Sequence, residues 1–83
     1  MVDTVILQIP SRVREMLNRT PEEMAYDMRL YAALMLYNLG KLSVGAAAEM
    51  AGIPKVMFLD LCAEHGLRTS QITPDELRAE ILN

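Results

Sequence analysis

The chain has 83 residues, with 8 Lys+Arg against 11 Asp+Glu, a formal net charge of -3 and a single cysteine. A domain this small has a limited core, its acidic balance excludes a whole-protein field that draws in nucleic acid or an anionic membrane, and one thiol excludes an internal disulfide. Hydrophobic residues still make up 52%, among them 7 methionines. That is more apolar surface than a lone compact monomer hides comfortably, so self-association is the first expectation.

At the N-terminus, Thr4-Val5-Ile6-Leu7-Gln8-Ile9 is a β-branched run stopped by Pro10, which predicts a strand over residues 4 to 9. Its backbone groups need a partner. The weak stretch from Leu67 to Ile72 is the other strand candidate in the chain, so pairing within or between chains stays open. Ser11 is placed to cap a short helix over residues 11 to 18. Thr20-Pro21-Glu22-Glu23 has the spacing of a capping box with proline preset at the first helical position. It predicts a helix over residues 21 to 38 that ends at Gly40.

Within that helix, Leu30-Tyr31-Ala32-Ala33-Leu34-Met35-Leu36-Tyr37 is apolar on every face. A helix that is hydrophobic all round is buried all round. The rest of so short a chain covers about two of its sides, which leaves either a central core helix in a monomer or a second chain as cover. The second is the expectation, and Ile6, Tyr31 and Met35 are the residues assigned to it.

Residues 43 to 65 read as two helices about a glycine. Ser43 is a cap, Ala47, Ala48 and Ala51 gather on one face where a second helix can cross closely, and Gly52 supplies a turn that requires a left-handed backbone. Ile53, Phe58, Leu61 and Cys62 then point inward, and Glu64-His65-Gly66 marks the end. The pattern fits a helix-turn-helix, with a generic helical hairpin as the alternative. Thr73-Pro74-Asp75-Glu76 repeats the capping-box pattern and predicts a terminal helix with Leu77, Ile81 and Leu82 on its apolar side. No internal domain boundary or low-complexity segment interrupts the chain. The reading is one domain over residues 1 to 83: mainly α, an N-terminal strand followed by a helical domain with a helix-turn-helix and a strand/helix segment over 67 to 82, in an intertwined homodimer.

The run from Leu30 to Gly40, then Lys41 through Ile53, Phe58-Leu59-Asp60-Leu61 and Glu64-His65-Gly66, resembles a small prokaryotic uncharacterised-protein family (the UPF type) of helix-turn-helix proteins. Its members are regarded as antitoxins, often encoded beside toxins of the PIN-domain ribonuclease class. The similarity covers most of the chain, and Tyr37 to Gly52 is its most specific part. Members often carry a serine-like cap where this chain has Pro54. The resemblance implies an antitoxin of a type II pair that binds and neutralises a PIN-domain toxin, with operator DNA as a further partner through the helix-turn-helix. The alternative is a stand-alone helix-turn-helix transcriptional regulator.

Base readers favour Arg, Lys, Asn and Gln, whose donors and acceptors match base edges in the major groove. In the second helix of the motif, Lys55, Val56, Leu59 and Asp60 are expected to face away from the core, with Met57 at the margin, and Lys55 alone is a reader type. Residues 41 to 66 carry Lys41 and Lys55 against Glu49, Asp60 and Glu64, a balance that phosphate repels. A basic cluster lies earlier, in Arg12, Arg14 and Arg19 against Glu15, although charge runs are commonly just solvated faces. Any DNA contact is therefore assigned to Lys41, Ser43, Lys55 and Val56 with Arg12 and Arg14. The apolar outward residues point instead to a protein contact, with Leu59 at its centre.

Nothing indicates an enzyme. His65 lies at a helix end, where a positive side chain meets the last carbonyls, and Cys62 is expected inward and inert. The carboxylates at Glu22-Glu23 and Asp75-Glu76 are explained by helix starts, and no metal-ligand spacing, cofactor motif or nucleophile-base pair occurs. Neither a signal-peptide pattern nor an apolar run of membrane-spanning length is present. The expectation is a cytoplasmic protein without membrane or small-molecule partners. On the same reading, Arg68 to Asn83 is the segment that orders on a toxin, because little apolar content ties it to the core.

Overall fold

The computed structural model describes residues 1 to 67, and these contain four α-helices: α1 Ser11–Met16, α2 Pro21–Asn38, α3 Val44–Ala51 and α4 Lys55–Glu64. The mainly α class stands. The elements expected after Leu67, the strand candidate to Ile72 and the helix from Thr73, lie outside the described residues.

Residues 1 to 10 form no strand, which corrects the strand expected over residues 4 to 9 and, with it, the intertwined arrangement built on that strand. A β-branched run supplies propensity, but a strand also needs a second backbone to take its N–H and C=O groups. The described residues offer none, and Val5, Ile6 and Leu7 are left exposed. Helix α1 is also shorter than expected and starts differently. Pro10 stands at its N-cap, and its carbonyl accepts from the amides of Val13 and Arg14 at 3.0 and 3.3 Å, while Ser11 makes no capping bond. The helix closes at Met16 because Asn18 turns left-handed, with φ 54°.

The start of α2 is a complete capping box. The Thr20 hydroxyl accepts from the Glu23 amide at 3.1 Å, and the Glu23 carboxylate accepts from the Thr20 amide at 2.9 Å. These bonds, the Thr20 amide foremost, then the Thr20 side chain and the Arg19 charge, hold the Glu23 carboxyl below its ordinary range. All four helices end alike. Asn18, Gly40, Gly52 and Gly66 have positive φ, and the next amide reaches back over five residues: Arg19 to Arg14, Lys41 to Leu36, Ile53 to Ala48 and Leu67 to Cys62. This is the Schellman closure, which satisfies carbonyls that a helix end otherwise leaves without partners.

The core lies where α2, α3 and α4 meet. Leu30, Ala33, Leu34 and Tyr37 come from α2, Val44, Ala47, Ala48 and Ala51 from α3, and Phe58 and Cys62 from α4. The alanines of α3 present almost no side-chain bulk, so both neighbouring helices approach it closely. Tyr37 and Phe58 then meet edge to face, with ring centroids 5.6 Å apart at 82°, a pairing that adds about 0.5 to 1.5 kcal/mol beyond its buried area. Helix α2 is therefore buried on one side only. Tyr31 and Met35 on its opposite side are 55% and 53% exposed.

The link between α3 and α4 is the three residues Gly52, Ile53 and Pro54. Gly52 has φ 73°, and a Cβ built on it would meet nothing closer than an Arg29 guanidinium nitrogen at 3.6 Å. There is room for a side chain, so the constraint is conformational. From α2, the Arg29 Nε donates to the Met50 carbonyl at 3.0 Å, placing a cation at the negative end of α3.

Two stability outcomes follow from this packing. In urea denaturation, Gly52→Val should cost roughly 1 to 2 kcal/mol through the left-handed backbone, and Phe58→Ala about 3 to 5 kcal/mol through the cavity it leaves. A Gly52→Val variant as stable as the parent would contradict the turn. The second outcome concerns pH. Because the folded chain lowers the pKa of Glu23 from its ordinary 4.5, its stabilising contribution is present above that value and is lost as pH falls through the folded one. Glu23→Gln should therefore flatten the acid limb of a stability-pH profile, and a profile parallel to the parent's would refute the assignment.

Candidate protein-interaction surface

Helical geometry sets the outward side of α4. With Phe58 and Cys62 fully buried, successive residues at about 100° place Val56, Met57, Asp60 and Glu64 on the far side. All four are exposed, Val56 at 71% and Met57 at 52%. This face is apolar at its start and acidic along its length, and it holds no basic side chain. Leu59 is only half exposed and packs against the core, which corrects the outward position expected for it. One residue after Phe58, it lies at the flank of the inward face, and Met57 shares the outer face with Val56 instead. Lys55 is also half-buried, because it lies three residues before Phe58 on nearly the same side of the helix.

The remaining DNA-contact candidates are scattered. Ser43 is exposed, but its hydroxyl accepts from the Ala46 amide at 3.1 Å and caps α3. Lys41 is exposed in the loop before it, and Arg12 is exposed on α1. Arg14 is half-buried, and its guanidinium donates to the Arg19 carbonyl at 3.0 Å.

Arg19 leaves the basic cluster altogether. Its Nε and Nη2 donate to the two Asp27 carboxylate oxygens at 2.8 and 3.0 Å, and Glu23 lies 3.4 Å from Nη1. The Asp27 bonds foremost raise the Arg19 pKa further, so this charge is neutralised within the protein. Asp27 is eight residues away in the chain, and a charge count over residues 11 to 19 does not include it.

The second exposed apolar surface belongs to α2. Met24, Met28, Tyr31 and Met35 recur at helical spacing along it, the first two half-buried and the last two exposed. Leu17 and the Arg19–Asp27 pair border this stripe. At its other end the Tyr31 ring meets His65 edge-on, with centroids 6.1 Å apart. His65 thus stands both at the end of α4 and against α2. Ile6, the third residue assigned to chain pairing, is 86% exposed on the N-terminal segment and is not joined to this stripe.

Cys62 is buried, and burial pushes its thiol pKa up, which keeps it from acting as a thiolate nucleophile. Among the described residues no group of His, Cys, Asp or Glu could hold a metal ion, and no helix is long and apolar enough to cross a membrane. The described surface carries an apolar-acidic face on α4, a methionine-rich face on α2 and exposed apolar residues on the N-terminal segment and α1.

Over its whole length, residues 1 to 83, the chain matches the family described as Uncharacterised protein family (UPF0175). A UPF0175 protein from Aeropyrum pernix is 35% identical over 63 residues, covering 76% of this chain and 66% of the relative. Another from Halobacterium salinarum is 35% identical over 65 residues, covering 78% of this chain and 61% of the relative. The match thus spans less than two thirds of either relative's length. No solved structure gives a significant match. The family match and these two relatives together show that the chain belongs to the UPF0175 family.

Proposed function

We propose that this protein is the antitoxin of a type II toxin-antitoxin pair, acting in the cytoplasm by binding and neutralising a PIN-domain ribonuclease. The observation that carries a protein-binding role is the outer face of α4, where Val56 and Met57 are exposed beside Asp60 and Glu64. In a DNA reader this face meets base edges and phosphates. Here its carboxylates repel phosphate, and its apolar pair gains by leaving water against another protein. The choice of a PIN-domain ribonuclease rests on the family resemblance of the sequence. Residues 68 to 83 are assigned to the same partner on their composition. Self-association through Tyr31 and Met35 belongs to the same reading, since both remain uncovered on α2.

A second reading, the stand-alone transcriptional regulator, is favoured by one feature: two helices joined by a three-residue turn with a left-handed Gly52. In that case Arg12, Lys41 and Lys55 supply phosphate contacts, and each one removed lowers the slope of log affinity against log salt by about 0.9.

Co-expression with the neighbouring gene's product separates the two. The parent chain should co-purify with that protein and suppress its ribonuclease activity. Val56→Asp and Met57→Asp should each weaken the complex by about 30-fold or more, the scale of a 2 kcal/mol contact, with an unchanged helical circular dichroism spectrum. Full inhibition by both variants, together with salt-dependent operator binding lost on Lys41→Ala, would favour the regulator.

A further inference from the structure

Met24, Met28, Tyr31 and Met35 are spaced four, three and four residues apart on α2, the step of a coiled-coil seam, in which residues at this spacing meet a second helix along a single line. Among the described residues no helix covers that line, because α3 and α4 pack against Leu30, Ala33, Leu34 and Tyr37 on another side of α2. The two ends of the seam differ in relief. At the N-terminal end Met24 and Met28 are half-buried and line a hollow of about 430 Å³ with Leu17 and the Arg19–Asp27 pair, and Tyr31 stands at its inner end. At the C-terminal end Tyr31 and Met35 project from the surface, and Leu39, one turn further on, is exposed as well. Methionines suit such a seam because their unbranched side chains adapt to what they meet.

A helix with a hollow at one end and projecting side chains at the other is complementary to itself only when reversed. Two copies of α2 laid antiparallel about a two-fold axis bring Met24 of one opposite Met35 of the other, and Met28 opposite Tyr31. Each copy's projecting half then enters the other's hollow, and every contact occurs twice, as a two-fold interface requires. Leu39 reaches the level of Thr20, toward the exposed Leu17. A parallel pair would set hollow against hollow. Charge favours the same direction. Glu22 and Lys41 are exposed and have no ion pair among the described residues. Reversal sets the end of α2 that carries Lys41 against the end that carries Glu22 and Glu23, and it opposes the two helix dipoles. In a parallel pair each group of carboxylates would face its own copy.

We propose that the methionine seam of α2 docks on the same seam of a second copy of this chain, antiparallel, with Met24 against Met35 and Met28 against Tyr31. This inference rests on the self-association assigned above to Tyr31 and Met35, to which it adds direction and register; it needs neither toxin nor DNA. The outer face of α4 takes no part in the seam. Each dimer therefore keeps two such faces open and, where that face binds a partner, holds two partner molecules.

The test uses the full-length chain with no partner present. Light scattering should report twice the 9.3 kDa of one chain, and Tyr31→Asp should weaken the association at least about tenfold with an unchanged helical circular dichroism spectrum. Direction is read by oxidising an equal mixture of the Met24→Cys and Met35→Cys variants, in which Cys62 is buried and takes no part. An antiparallel pair brings positions 24 and 35 together and holds like positions about 16 Å apart, beyond the reach of a disulfide. The mixed disulfide should therefore exceed both like-with-like products. An excess of like-with-like products, or a dimer as strong in Tyr31→Asp as in the parent, would overturn the proposal and leave self-association standing. A single-chain mass up to millimolar concentration would overturn both.

Discussion

Everything in this small fold depends on how closely α2 and α4 can approach α3. The buried side of α3 is Val44, Ala47, Ala48 and Ala51, and three of these four end at Cβ. Larger residues there would hold the neighbouring helices apart, and Tyr37 on α2 would no longer reach Phe58 on α4. That edge-to-face pair closes the core above α3 and ties together two helices separated by a loop and a turn. The left-handed Gly52 complements it by directing the chain from α3 into α4 within three residues. Close packing and tight turn are two aspects of one constraint: α4 can bury Phe58 and Cys62 only if it returns at once against a helix with little bulk.

The same constraint decides which residues are left for function. Because α4 turns Phe58 and Cys62 inward, helical periodicity commits Val56, Met57, Asp60 and Glu64 to the outside. Lys55 is drawn toward the core side, so the reader-type residue of this helix is not on its outer face. Because α2 gives one side to the core, Tyr31 and Met35 face out, and Met24 and Met28 line the hollow beside Leu17. Among the described residues, large apolar side chains left outside the core lie along these two helices, on α1 and on the N-terminal segment. Such patches mark contact surfaces more often than accidents of composition.

What is legible in the sequence is what is local. The Thr20–Glu23 box, the Ser43 cap and the helix ends at Gly40, Gly52 and Gly66 each involve partners within five residues, and spacing alone exposes them. The alanine face of α3 is readable for the same reason. The misplaced features are those decided at a distance. A strand over residues 4 to 9 fails because propensity does not supply a partner backbone. Arg19 is absorbed by Asp27 across a turn, and Arg29 reaches the Met50 carbonyl 21 residues away. Leu59 lies at the boundary of a helix face, where one position decides between half-buried and exposed. The same distance effect hid the hollow, whose walls come from two separate stretches of chain.

The central claim is that the outer face of α4 meets protein although the helix pair has the shape of a DNA-binding motif. An amide NMR titration of the full-length chain tests it most directly, with the PIN-domain ribonuclease proposed as its partner in one series and double-stranded DNA from upstream of its own gene, at physiological salt, in the other. The account predicts that the amide signals of Val56, Met57 and Asp60 move with the ribonuclease and stay in place with DNA. Movement of these three signals with DNA, and none with the ribonuclease, would contradict it.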